Sequence, residues 1–395
     1  MIKINARIID ISNLNEAKRH IANIGADVDG LAWLAPKAVH INILIENVSS
    51  YAANIIKQEM LGKGGDAAVH RGVVSCSIDK SNVLIMGTYN QYLKLIYKLK
   101  MQSGTLKLIA EEIQKVLEVY NVKKQLPFVC RNKKLPVGER TLVMGILNVT
   151  PDSFSDGGSY TSVERAVKKA REMCEAGADI IDVGGESTRP GHTPVDPFVE
   201  INRVLPVVEK LVSMIDVPIS VDTSKAIVAE KVLAAGAHII NDVWGLQKDP
   251  AMADVVAKYG AGVILMHNSE QKKYNDLMGD IIRYLRESID IAIKAGIDQR
   301  GIVIDPGIGF GKNLEQNLEV MNRLAELRTL NYPILLGTSR KSIIGDILEL
   351  PVNERLEGTA ATVTLGISKG VNIIRVHDVK EMVRVARMTD AMIKL

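Results

Sequence analysis

A chain of 395 residues that is 47% hydrophobic and 24% charged, with a net charge of +3, is expected to fold as one large or two ordinary soluble domains. No apolar run approaches the roughly 18 residues of a membrane span, and the N-terminus lacks the basic-then-apolar pattern of a secretory signal. Three widely spaced cysteines (Cys76, Cys130, Cys174), with no CxxC pair, argue against a disulfide framework or a zinc cluster and predict a reducing, cytoplasmic setting.

The charge is uneven. Residues 1–135 hold 19 Lys/Arg against 11 Asp/Glu, and the remainder 30 against 35. The basic part carries no aromatic-interleaved motif, so it reads as solvated lysines and not as a nucleic-acid surface. Residues 1–125 predict an additional mixed α/β domain. Strands are expected at 4–11, 39–45, 73–78 and 82–86, and helices at 15–24, 50–61, 91–100 and 104–119. The Gly-Lys-Gly-Gly run at 62–65 reads as a turn, because it lacks the rest of a P-loop. No catalytic constellation appears here. Residues 126–140 hold Pro127, Pro136 and Gly138 and are expected to form a linker.

Over 141–395 the pattern becomes regular. Strands are expected at 142–148, 179–184, 217–222, 238–242, 261–267, 301–305, 333–337 and 372–376. Helices follow near 162–176, 197–214, 225–235, 250–259, 279–295, 314–329, 355–369 and 379–393. Eight strand–helix units predict a TIM (β/α)8 barrel, with a doubly wound open sheet as the alternative. A barrel places its chemistry at the strands' C-terminal tips. Each expected tip carries a polar group after an apolar run: Asn148; Asp182; Asp222; Asn241-Asp242; His267-Asn268; Asp305; the 337–342 segment; and Arg375 with His377-Asp378. Asp222 and Asn241 could equally cap the helices that follow, and a lone His267 could be structural. Eight polar tips at one mouth are harder to explain that way.

The tip residues sort by chemistry. Asp222, Asn241 and Asp305 suit a flat heterocycle rich in N–H donors and ring nitrogens, and Lys341 could donate to it. Arg375 and His377 flank Val376, so in a strand both face one side and favour a phosphate-type anion. Asn148 could serve as an oxygen ligand to the Mg²⁺ that accompanies a diphosphate. The Gly-rich run at 307–312 fits neither a P-loop nor GxGxxG and reads as close backbone approach around a ligand.

Five segments carry a resemblance: 145–158 (GILNVTPDSFSDGG), 182–191 (DVGGESTRPG), 305–312 (DPGIGFGK), 339–342 (SRKS) and 375–379 (RVHDV). Together they resemble the dihydropteroate synthase family across the whole 140–395 region. The resemblance implies a pterin-binding TIM barrel that condenses 6-hydroxymethyl-7,8-dihydropterin diphosphate with p-aminobenzoate. It implies an SN1-like displacement, a need for Mg²⁺, homodimer formation and sensitivity to sulfonamides. By it, Asp222, Asn241, Asp305 and Lys341 would hold the pterin. Asn148, Arg375 and His377 would hold the diphosphate and its metal. Thr188, Arg189, Pro190, Phe154, Phe310 and Ser342 would frame p-aminobenzoate. The competing readings are a pterin-binding methyltransferase, a regulatory protein that kept the barrel, and a relative acting on a different arylamine.

Overall fold

The computed structural model describes residues 5–121, 127–149, 159–186 and 195–393. The chain divides into two compact units, 1–123 and 124–395. Among the described residues no helix is long and apolar enough to cross a membrane.

The first unit runs α1 (Leu14–Asn23), α2 (Leu31–Ala38), β1 (His40–Ser49), α3 (Ser50–Leu61), β2 (Asp66–Val69), β3 (Lys80–Thr88), α4 (Tyr89–Lys100) and α5 (Thr105–Asn121). Its sheet is antiparallel in the order β1-β3-β2. Side chains alternate along each strand, so Ile41, Ile43, Val83 and Ile85 are buried while Leu44 and Leu84 are exposed. The buried Tyr92 hydroxyl lies within hydrogen-bond reach of the carbonyls of Ile41 (3.1 Å) and Ile85 (2.7 Å) and ties α4 to the two longer strands. Two expected strands are not formed. Residues 5–11 carry no regular element, and 73–78 follow a short 3-10 turn at Arg71–Val73. In that segment His70 Nδ1 accepts from Gly72 N–H, and Ser75 and Ser77 donate to the Gly72 carbonyl. Such local bonds satisfy the backbone without a sheet partner. Conversely β2 and α2 were not expected, because each is too short or too weakly patterned to stand out.

The segment expected as a linker is partly ordered structure of the second unit. It forms a hairpin of β4 (Phe128–Cys130) and β5 (Lys133–Leu135). Phe128, Cys130, Leu135 and Val137 pack into one cluster with Leu142, Met144, Ile180, Ile239, Ile264, Val303, Leu335 and Ile373. The last eight come from seven barrel strands, so the hairpin plugs the lower end of the barrel. Arg131 locks it there: its N–H donates to the Gly260 carbonyl, and its Nη1 to the carbonyls of Leu233 and Ala237.

The barrel strands are β6 (Leu142–Asn148), β7 (Ile180–Gly184), β8 (Ile219–Asp222), β9 (Ile239–Asp242), β10 (Gly262–Met266), β11 (Ile302–Asp305), β12 (Leu335–Leu336) and β13 (Ile373–Val376). All pair in parallel, in the order β11-β10-β9-β8-β7-β6-β13-β12. A parallel bridge from Ile304 to Ile334 closes the ring, which decides for the barrel over the open sheet. The surrounding helices are α6 (Ser159–Glu175), α7 (Pro197–Val212), α8 (Ala226–Ala234), α9 (Met252–Lys258), α10 (Leu277–Lys294), α11 (Leu314–Arg323), α12 (Ser342–Leu348), α13 (Leu356–Ser368) and α14 (Val379–Ile393). Strand residues such as Ile181, Val183, Val221, Ile240, Ile304 and Ile374 pack outward against these helices in a separate, larger core. The unexpected α12 adds a turn after β12.

Candidate active site

Period-two alternation builds the site. Ile181, Val221, Ile240, Ile304 and Ile374 face the helices, so their neighbours face the barrel axis. The inward residues begin as the apolar plug layer and become polar two residues later. Ile180 is followed by Asp182, Ile239 by Asn241, Val303 by Asp305 and Ile373 by Arg375, while β8 gives Ser220 and then Asp222. The lower half of the barrel is therefore dry, and the upper half carries charge.

Far-separated tips meet directly. Arg375 Nε donates to Asp182 Oδ2 at 2.6 Å, and its Nη2 to Asp222 Oδ2 at 2.9 Å. Asn241 Nδ2 donates to the same Asp182 oxygen at 3.2 Å. Asp182 Oδ1 and Asp222 Oδ1 are buried and unpartnered among the described residues. A buried carboxylate oxygen without a donor is unfavourable, so this pair is ready to receive N–H groups. Burial pushes Asp222 up to about 7 despite the attraction of Arg375. Burial also opposes the Arg375 charge, but Asp182 and Asp222 outweigh it and raise its pKa.

Across the mouth, Asp305 accepts the Gly307 N–H at 2.7 Å and is raised by burial, with Lys341 opposing. Lys341 Nζ donates to the Ile308 carbonyl and sits 4.5 Å from the centre of the Phe310 ring. Burial lowers its pKa to about 8, with Asp305 acting against the shift. His377 is lowered to about 3 by burial and by Arg375 and Arg340, so it is neutral at physiological pH. Its backbone N–H donates to Ser339 Oγ at 3.2 Å, and its Nδ1 lies within hydrogen-bond distance of the same hydroxyl at 3.0 Å. The side-by-side pair expected to favour an anion is thus one cation and one neutral imidazole. Asn148 ends β6 with its Oδ1 beside Gly184, the tip of β7. Ser342 is exposed at the start of α12.

Phe154, Thr188, Arg189 and Pro190 lie outside the described residues. The neck of the second loop is described. Glu186 Oε1 accepts the Val195 N–H at 3.1 Å, and Lys225 Nζ joins Glu186 to the buried Glu200.

The helix-capping alternative does not hold for Asp222 or Asn241. The N-caps of α8 and α9 are Lys225 and Ala251, and neither caps through its side chain. Asp242, the outward neighbour of Asn241, does the turn-forming work by accepting the N–H groups of Trp244 and Leu246. His267 is structural: it is buried, tilted against Tyr274 and edge-on to Tyr284, and paired through Nδ1 with Lys312 at 2.9 Å. The glycines of 307–312 serve a neighbouring backbone more than a ligand. A Cβ on Gly307 (φ +67°) would lie 2.0 Å from the His267 carbonyl oxygen, and one on Gly311 (φ +57°) 2.5 Å from that of Ser269. Sequence reasoning gave no role to Asp182, Ser339 or Lys312. The signal for Asp182 was its inward register, shared with Asp222 and Asn241; Ser339 and Lys312 stood inside the 339–342 and 305–312 motifs, which marked the segments but gave neither residue a partner.

Residues 144–377 match the pterin binding enzyme family. The dihydropteroate synthase of Bacillus subtilis is 56% identical over 255 residues, covering 65% of this chain and 90% of its own length. A dihydropteroate synthase from Clostridium difficile, crystallised in the presence of pteroic acid, is 55% identical with a TM-score of 0.64, covering 65% of this chain and 98% of that one. A probable bifunctional folylpolyglutamate synthase/dihydropteroate synthase from Halobacterium salinarum is 38% identical over 389 residues, covering 97% of this chain and 46% of its own length. That alignment therefore extends over the first unit as well.

Proposed function

The chain belongs to the dihydropteroate synthase family of pterin-binding enzymes, and on that premise we propose how its site conducts the reaction. The reaction is the condensation of 6-hydroxymethyl-7,8-dihydropterin diphosphate with p-aminobenzoate. The bond from the exocyclic CH₂ to the diphosphate oxygen breaks, and its electron pair leaves with the diphosphate. The arylamine lone pair forms the new C–N bond, and the nitrogen then loses a proton.

The observation that carries the site assignment is the convergence of Asp182, Asp222, Asn241 and Arg375 from four strands into one bonded cluster. Asp222 and Asp305 accept ring N–H groups and stabilise the electron-poor pterin as the leaving group departs. Asn241, oriented by Asp182, turns its amide oxygen to the ring, and Lys341 donates to the ring carbonyl or nitrogen. Arg375 uses two nitrogens on aspartates, and its Nη1 takes no partner among the described residues, so it remains for the diphosphate. His377 adds a neutral imidazole beside it. Phe310 and Ser342 frame the arylamine; the resemblance gives the same role to Phe154, Thr188, Arg189 and Pro190, which lie outside the described residues. An aniline is nucleophilic while neutral, so no general base is assigned.

Among the described residues no cluster of three acidic, His or Cys side chains could hold a metal by itself. One amide oxygen at the mouth suits Mg²⁺, which keeps waters and takes its other ligands from substrate phosphates. Asn148 would hold it with the diphosphate, and the ion would offset charge on the leaving group. We also assign a homodimer and a cytoplasmic location to this chain, in keeping with the scattered reduced cysteines and family membership.

Incubating the full chain with the pterin diphosphate, p-aminobenzoate and Mg²⁺ tests the reading. Formation of 7,8-dihydropteroate is expected, and its absence removes the assignment. For the metal, calorimetry of diphosphate binding with and without Mg²⁺ should show a Mg²⁺-dependent gain that Asn148→Ala abolishes. An undiminished gain in that variant removes Asn148 as a ligand.

A further inference from the structure

The segment between β11 and α11 passes over the mouth with its peptide groups held almost one by one. The Gly307 N–H goes to Asp305 and the Gly309 N–H to Asn317 Oδ1, each at 2.7 Å. The Ile308 carbonyl takes Lys341, and the Gly311 carbonyl takes the Tyr274 hydroxyl at 2.6 Å. The Gly307 and Phe310 carbonyls both accept from Lys312 Nζ, at 3.0 and 3.1 Å, and the Gly307 carbonyl also takes the Phe310 N–H at 3.0 Å. The third partner of Lys312 Nζ is His267 Nδ1 at 2.9 Å.

Lys312 is only 5% exposed; burial lowers its pKa to about 7, and Asp305 attracts it without forming an ion pair. A buried lysine without a bonded carboxylate is a costly way to fill space. An apolar side chain of the same length would pack there more cheaply if packing were all that mattered. What the ammonium supplies is three hydrogens for three acceptors, two of them in the loop that displays Phe310 and one on the neighbouring tip.

We propose that Lys312 is a positioning residue for the transfer reaction: it fixes the 307–311 backbone against His267, and so sets where the Phe310 ring stands in the arylamine subsite. This rests on the function proposed above, in which Phe310 frames p-aminobenzoate. Asp305 keeps its own bond to Gly307 when Lys312 is changed, so the pterin side should suffer less than the arylamine side. The expected signature is therefore a split between substrates, and not a uniform loss.

The experiment is steady-state kinetics on Lys312→Met, which keeps the length and loses the hydrogens. KM for p-aminobenzoate should rise at least tenfold while KM for the pterin diphosphate changes less than threefold. Lys312→Cys alkylated with 2-bromoethylamine regrows the amine, and its KM should return to within threefold of wild type treated the same way. Both KM values moving together, or only the active fraction falling, overturns the proposal, as does failure of the regrown amine to restore KM. If the Met variant does not fold, Tyr274→Phe frees the Gly311 carbonyl of the same loop and must show the same split; unchanged kinetics there overturns it equally. Inactive wild type would instead sink the proposed function, so the two failures are distinguishable.

Discussion

Arg375 is the side chain whose removal should be felt most widely. Its guanidinium holds two buried aspartates that form no other ion pair among the described residues. Arg375→Met keeps the bulk and deletes the charge. Removing one partner of a buried ion pair costs about 3–5 kcal/mol, because the other charge is left uncompensated. At about 2.1 cal/mol/K per residue, the 272 residues of 124–395 unfold with an entropy of about 0.6 kcal/mol/K. The midpoint of the barrel transition should therefore fall by about 5–8 °C. The loss should depend on pH with a definite sign. Asp222 already titrates near 7 because it is buried, and without Arg375 it moves higher. A carboxyl whose folded pKa exceeds its unfolded value stabilises the fold below the unfolded pKa and loses that contribution as pH rises through the folded one. The variant should thus be closest to wild type at pH 6 and furthest from it at pH 8.5. Thermal melts followed by circular dichroism at both values measure this, and Arg375→Met/Asp222→Asn should recover part of the deficit at pH 8.5. A shift under about 2 °C at both values, or a larger deficit at pH 6, would refute the uncompensated-carboxylate argument.

Other consequences follow from the same geometry. Changing Arg375 should weaken binding of the pterin diphosphate much more than binding of a bare pterin; equal losses by calorimetry would contradict its contact with diphosphate. Lys341→Ala should lower dihydropteroate synthesis by at least about 100-fold, the scale of one preorganised donor, and near-normal turnover would remove Lys341 from the site. If Asp222 must be ionised and Lys341 protonated, kcat/KM for the pterin diphosphate should rise through about 7 and fall above about 8. A profile flat from pH 6 to 9 would show that these two groups do not govern binding. Phe128→Ala should destabilise the barrel by about 3–5 kcal/mol and leave KM unchanged at low temperature; a melting curve like that of wild type would mean the hairpin is not a plug.

Much of the barrel was legible before any coordinates, because buried parallel strands read as short apolar runs and the helices between them as amphipathic ones. The boundaries of β6, α3 and α14 agree with expectation, since Asn148, Gly62 and the Val379 pattern mark them locally. The 73–78 and 128–135 segments went the other way for opposite reasons. In the first, side chains bonded to their own loop and removed the backbone from the sheet. In the second, prolines and basic residues suggested a linker, while Phe128 and Leu135 had an apolar partner that only the closed barrel creates.

The order of chemistry along each strand belongs to the amino-acid sequence alone: an apolar residue, an outward spacer, then a polar tip. Alternation fixes which face each side chain takes, so Asp222, Asn241, Asp305 and Arg375 could be nominated without a fold. Which of them touch is a property of ring closure and strand stagger, and these depend on strand pairs such as Ile373 with Leu142, 231 positions apart. That is why Asp182 emerges as the common partner of Asn241 and Arg375, why His377 is neutral, and why Lys312 turns inward to its own loop only once the chain is folded.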